Sequence, residues 1–325
     1  MSITHEPSGF TRLSTTSGVS MVVSTFGARI VELWVPDREG NLGNVVVGLP
    51  TPQDYAQRAG LYLGCTVGRV AGRIAHSHFV GGGLSFDVEP NERGNHLHGG
   101  PERSFDRVEW ELVTFDTGDV VSAEFHYLSP AGEEGYPGEL TVTSRYELSA
   151  QGVLTSTLTA HTTAPTPVNL TTHAYWNLSG IPGQTIEDHE LVVDHAGQLE
   201  TDDVQLPTGQ LLSPPQQLSL SEHSWDDTFI LTNTNHLTTA AARLHHSGTG
   251  RTLTLFTSEP AMQVYSGAYL PHEEFDAEHI LTPSGGLCLE PQRIIDNPLL
   301  PGFPSIVLQP EETYVHVTRH EFNAG

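Results

Sequence analysis

The chain has 325 residues, with 39 Asp plus Glu against 14 Lys plus Arg and a formal net charge of -25. Every basic residue is Arg; without lysine, a Schiff-base mechanism and a phosphate loop ending in Gly-Lys-Ser/Thr are excluded. The acidic surplus repels polyanions at long range, so neither nucleic acid nor an anionic membrane surface is expected as a partner.

Taken in chain order, the predicted elements are nearly all strands. Met1 to Ser20 lacks the apolar core of a signal peptide, and no stretch approaches the ~20 apolar residues of a membrane span, so a cytoplasmic location is expected. A short helix is predicted over Pro52 to Arg58. Val121, Ala123, Phe125 and Tyr127 then alternate with Ser122, Glu124 and His126, the period of a half-buried strand. Strand sequence rich in Thr and Val follows at Thr141 to Leu148 and Leu154 to Thr162. A second short helix is expected around Ser221 to Asp226, and more strands at Thr252 to Thr257 and Thr313 to Thr318. Turns are expected at Gly81-Gly-Gly83, Pro130-Ala-Gly132, Pro182-Gly183, Ser247-Gly-Thr-Gly250 and Pro301-Gly302.

No repeat, low-complexity tract or linker interrupts this pattern, so one domain spanning residues 1–325 is expected. Strands without long helices cover their apolar faces only by stacking sheets or closing a barrel, which makes the expected fold all-β, a large β-sandwich. Cys65 and Cys288 are too few for a disulfide scaffold and lie in apolar, strand-like sequence, which suggests buried reduced thiols.

Two residues carry the strongest chemical signal: Glu290 in Cys288-Leu-Glu-Pro-Gln292 and His173 in Thr172-His-Ala-Tyr-Trp-Asn-Leu178. A carboxylate and an imidazole ordinarily titrate below and near neutrality, so one can accept a proton while the other donates one. Glu290 sits in an otherwise apolar strand, where an unpaired carboxylate is costly to bury; a structural ion pair is the competing explanation.

Six segments resemble the aldose 1-epimerase family in order and over most of the chain: Leu63-Gly-Cys-Thr-Val-Gly-Arg-Val-Ala-Gly-Arg-Ile74, Asn95-His-Leu-His-Gly-Gly100, Thr171 to Gly180, Trp225-Asp-Asp-Thr-Phe229, Gln263-Val-Tyr-Ser-Gly267 and Leu289-Glu-Pro-Gln292. The resemblance implies a supersandwich of the galactose-mutarotase type and cofactor-free, metal-free interconversion of α and β anomers of free sugars. It implies Glu290 as the base at the anomeric hydroxyl and His173 as the acid at the ring oxygen. His98 would be a second donor near the ring oxygen, Arg73 and Asp226 would bind sugar hydroxyls, and Gln263 would form a polar wall. Asp227 and Arg69 are the neighbours that compete with Asp226 and Arg73 for these roles. Trp176 and Tyr175 are expected in the core rather than as sugar platforms.

Departures from the family bear on specificity. Gly72 stands where relatives commonly carry Asn, so discrimination between glucose and galactose is expected to be loose, within about tenfold in kcat/KM. Gly72→Asn is then expected to sharpen the preference, unless a positive φ makes the glycine a backbone requirement. The segment Arg293 to Pro298 is shorter than is usual after the catalytic Glu. Three other functions compete: a sugar-binding sensor without turnover, a glycosidase, and a metal enzyme in which His96, His98 and Glu102 share an ion as in cupins. The preferred sugar and the oligomeric state are not legible in the sequence.

Overall fold

The structure, a computed structural model, describes residues 2–116, 120–232, 237–296, 300 and 302–325. The expected turn at Pro301-Gly302 and the shortened segment ending at Pro298 therefore fall partly outside the described residues.

Antiparallel pairing dominates. A five-stranded meander runs from Ser2–His5 to Leu42–Asn44 in sequence order. A nine-stranded sheet is built from Glu111–Asp116, Val120–Ser129, Leu140–Ser149, Val153–Thr162, Tyr314–Ala324, Arg251–Thr257, Ala242–His246, His189–Val193 and Gln217–Leu218, in that spatial order. A six-stranded sheet follows the order Tyr175–Trp176, Leu287–Gln292, Ala261–Tyr265, Asp226–Leu231, His195–Thr201, Pro207–Leu212. The bridge between Val46 and Trp176 joins the five- and six-stranded sheets edge to edge. One continuous core lies between this joined layer and the nine-stranded sheet, with Leu33, Met262 and Leu289 packed in the same cluster as Phe125, Leu158 and Leu253. That is the expected large β-sandwich.

Alternation creates the functional face. Along Leu287–Gln292, Leu287 and Leu289 enter the core, while Cys288, Glu290 and Gln292 project from the opposite face. The neighbouring strands repeat the pattern: Met262 and Val264 face the core opposite Gln263 and Tyr265, and Phe229 faces it opposite Asp226 and Thr228. Two short pairings bring other loops over this face, Arg73–Ile74 with His96–Leu97 and Thr66–Val67 with Thr171–Thr172.

The helix at the predicted start is present as Pro52–Gln57, capped by the Thr51 side chain, which accepts from the Asp54 N–H, with Pro in the first turn. The one expected over Ser221 to Asp226 is absent. There the Trp225 indole donates to the Ser219 carbonyl (2.7 Å) and Asp226 already pairs with Tyr265, so tertiary anchoring fixes an extended entry to the next strand. Both cysteines are buried free thiols. Among the described residues, no helix is long and apolar enough to cross a membrane.

Candidate active site

A cleft of about 650 Å³ opens on the free face of the six-stranded sheet, and Arg73, His98, His173, Asp226, Gln263 and Glu290 all line it. All six residues singled out from the sequence are thus brought together. Asp227 instead points away, with Oδ1 accepting from Gln198 Nε2 (2.7 Å), and Arg69 is buried against the carbonyls of Ser129, Pro130, Pro137 and Gly138. Alternation along Asp226–Leu231 is the physical reason that the first aspartate, not the second, reaches the cleft.

Glu290 is 1% exposed, and its Oε2 has no hydrogen-bond partner among the described residues. Burial, with Asp226 nearby, pushes its carboxyl well above the usual range, and the Arg73 guanidinium opposes that only in part. His173 is pinned through its backbone, its N–H donating to the Cys65 carbonyl (2.9 Å) and its carbonyl accepting from the Gly64 N–H (3.0 Å). Its Nε2 stands 3.5 Å from Glu290 Oε1, and on the other edge its Nδ1 lies 3.4 Å from the Cys288 sulfur. Burial lowers the His173 imidazole to about 4 and holds the Cys288 thiol protonated. Both buried members of the pair therefore favour their neutral forms, which leaves a single proton between them, resting on Glu290. At 3.5 Å the two heads are too far apart for a good hydrogen bond, so each is free to address a different oxygen of a bound molecule.

The remaining residues are fixed by reciprocal contacts. The Gly72 N–H donates to His98 Nδ1 (3.2 Å) and the His98 N–H donates to the Gly72 carbonyl (3.1 Å). Nδ1 is thus an acceptor, and neutral His98 carries its proton on Nε2 as a donor. Burial, then the neighbouring His173 and Arg73, holds His98 well below its ordinary range and keeps it neutral. Arg73 donates from Nε to Glu92 Oε2 (3.1 Å). Gln263 is clamped at both ends, Nε2 donating to Asp226 Oδ1 (2.8 Å) and Oε1 accepting from the Thr228 hydroxyl. Thr228, Gln263 and Glu290 form one cross-strand row, which makes the polar wall rigid.

Gly72 meets the condition that changes its meaning. Its φ is +84°, and an added Cβ would stand 3.3 Å from Ile295 Cδ1. Glycine adopts this φ freely and asparagine only with some strain, and the residue's backbone also holds His98, so Gly72→Asn would bring strain together with its amide and is not the clean restoration expected from the sequence. Tyr62, which the sequence reading did not single out, stacks on His173 with centroids 5.8 Å apart and meets His98 edge-on at 4.8 Å. Trp176 and Tyr175 are both in the core as expected, and Tyr175 also packs against His173 at 5.1 Å, its hydroxyl donating to the Leu61 carbonyl.

The cupin arrangement does not form. His96 is buried away from the cleft, with Nδ1 at the Glu89 carbonyl (2.7 Å) and Nε2 at the Tyr136 hydroxyl (2.7 Å), while His98 turns aside through a φ of +52°. His98, His173 and Glu290 do bring one nitrogen or oxygen each within 4.8 Å of one another, a donor set able to hold a divalent ion. A second cluster, Asp188, His189 and His246, is tied up internally: the Leu178 N–H donates to His189 Nε2 (2.9 Å), so His189 Nδ1 keeps its proton for Asp188.

An antiparallel supersandwich whose open face gathers a buried carboxylate and imidazole among polar side chains holds the groups that a general acid–base enzyme acting on a carbohydrate requires. The sequence and fold comparisons agree. The family model for aldose 1-epimerase matches residues 11–321. Rat galactose mutarotase is 35% identical over 318 residues, covering 93% of this chain and 91% of its own, and aldose 1-epimerase of Escherichia coli K12 is 27% identical over 340 residues, covering 98% and 96%. The solved structure of an aldose epimerase homologue from C. elegans superposes with a TM-score of 0.86 at 26% identity, covering 97% of this chain and 99% of that one. The chain belongs to the aldose 1-epimerase family. Its activity is the interconversion of α and β anomers of free aldoses, on a fold of the galactose-mutarotase type.

Proposed function

We propose that Glu290 takes the proton of the anomeric hydroxyl while His173 delivers one to the ring oxygen. The C1–ring oxygen bond breaks with its electron pair going to the ring oxygen, and the anomeric oxygen becomes the aldehyde carbonyl. Rotation about C1–C2 and the reverse transfers close the ring on the other face and restore both side chains. His98, donating from Nε2, steadies the ring oxygen; Arg73 and Asp226 hold hydroxyls, and Gln263 forms the wall between them. The observation that carries this reading is the 3.5 Å approach of His173 to Glu290 inside the cleft, with a buried carboxylate oxygen left unpartnered. Galactose and glucose are the proposed substrates, turned over by one cytoplasmic domain spanning residues 1–325.

The reacting form, with Glu290 ionised and His173 protonated, holds the same single proton as the resting pair. Adding a second proton or removing the first destroys it, so kcat/KM should be bell-shaped. Activity should fall as pH drops through about 4, where His173 protonates beside an already protonated Glu290. It should fall again on the alkaline side, well above the usual carboxylate range, as Glu290 loses the last proton. Polarimetry over pH, with the solvent reaction subtracted, checks this. An acid limb at the ordinary histidine value would contradict it.

The same assay tests substrates and metal. Freshly dissolved α-glucose and α-galactose should both mutarotate, with kcat/KM within about tenfold of each other, and prolonged EDTA treatment should change neither. Activity lost to chelation and returned by one divalent metal would turn His98, His173 and Glu290 into a metal centre instead.

A further inference from the structure

The strand that carries Glu290 presents a second orphaned acceptor. Gln292 is 7% exposed, lines the cleft and has an Oε1 without a hydrogen-bond partner among the described residues. It shares a strand face with Glu290, whose Oε2 is orphaned in the same way. A buried oxygen left without a donor is costly, and here the two residues that carry such oxygens line one wall of one cavity. Their backbone positions are about 7 Å apart along the strand. With side chains of equal length, that separation suits hydroxyls on opposite sides of a pyranose ring rather than neighbouring ones.

Gln292 also lies beside Gly72. A Cβ placed on Gly72 would come within 3.9 Å of Gln292 Nε2, so the Gln292 carboxamide reaches from the strand toward the space that the glycine leaves open. The side chain missing at residue 72 thus has a polar neighbour arriving from the opposite wall.

We propose that Gln292 is a specificity-determining residue that accepts a hydrogen bond from the C3 or C4 hydroxyl of an aldopyranose while Glu290 Oε2 engages the anomeric hydroxyl. This rests on the acid–base reading of the site. Gln292 takes no part in proton transfer; it selects sugars that present a donor on the far side of the ring.

The test is kcat and KM for glucose and its 2-, 3-, 4- and 6-deoxy analogues, in wild type and Gln292→Met. Wild type should lose at least ~10-fold in kcat/KM on the 3-deoxy or the 4-deoxy sugar, because a site built around a hydroxyl rejects its absence. Gln292→Met should lose a similar factor on glucose, through KM with kcat within about twofold, and nothing more on that deoxy sugar. The idea is overturned if Gln292→Met keeps its glucose kcat/KM within twofold, or if the deoxy penalties persist unchanged in it. Should that variant not fold, Gln292→Leu takes its place with the same expected and overturning results, and the absence of any wild-type penalty at C3 or C4 refutes the proposal outright. A protein inactive on every sugar would instead indict the acid–base reading.

Discussion

Glu290→Gln should lower kcat by at least ~10², the scale of a lost general base, while the fold survives. The substitution preserves shape and removes a carboxylate that is 1% exposed and half unpartnered, so stability should hold or rise. Asp226→Asn and Arg73→Ala should act mainly through KM, since Asp226 is bonded to Gln263 of the polar wall and Arg73 to Glu92, neither of them to His173. Polarimetry with the solvent rate subtracted, beside circular dichroism, reads both parameters. A correctly folded Glu290→Gln enzyme with full activity would make the carboxylate structural and remove the base from the mechanism.

Gly99→Ala should cost about 3 kcal/mol or more and most of the activity. Gly99 has φ +91°, and an added Cβ would overlap the Gly68 carbonyl group, which is backbone and has nowhere to yield. Overpacking alone costs roughly 1–3 kcal/mol, and left-handed strain adds a comparable term. His98 is the preceding residue, so any relief displaces its Nε2 donor. Gly94→Ala is the control: its φ is +82° with nothing within 4 Å of the new Cβ, so it carries the dihedral strain without the collision. Denaturant midpoints at unchanged slope compare the two. Equal losses would show that the approach to Gly68 is looser than the geometry requires.

What the sequence disclosed follows a physical division. Strands with one wet face announce themselves: along Leu140–Ser149 buried positions alternate with less buried ones, and the matching periodicity is visible in the residues. Leu287–Gln292 is buried at every position, so periodicity is silent there and only the chemistry of Glu290 separates the two faces. The same silence hides Gln292, although its spacing of two from Glu290 was a usable signal. Tyr62 and Glu92 touch His173 and Arg73 across long sequence separations that no local pattern encodes. The false helix at Ser221 to Asp226 failed because Trp225 is anchored by tertiary contacts that outweigh local preference. Gly72 shows the limit most plainly, since a residue read as an absent side chain also sits at a φ of +84°, a backbone shape that the sequence does not announce.

The nine-stranded sheet places Tyr314–Ala324 between Val153–Thr162 and Arg251–Thr257. A nascent chain that has not passed residue 314 therefore exposes two unpaired edges, one 10 and one 7 residues long, each a template for pairing with another copy. Domains with such non-local pairings close slowly, and their open edges invite aggregation. Although Glu290 has by then been made, the layer that backs its strand is still split in two. Translation consequently delivers this catalyst all at once: a stalled or clipped chain is an adhesive fragment for chaperones to guard, not a smaller working enzyme.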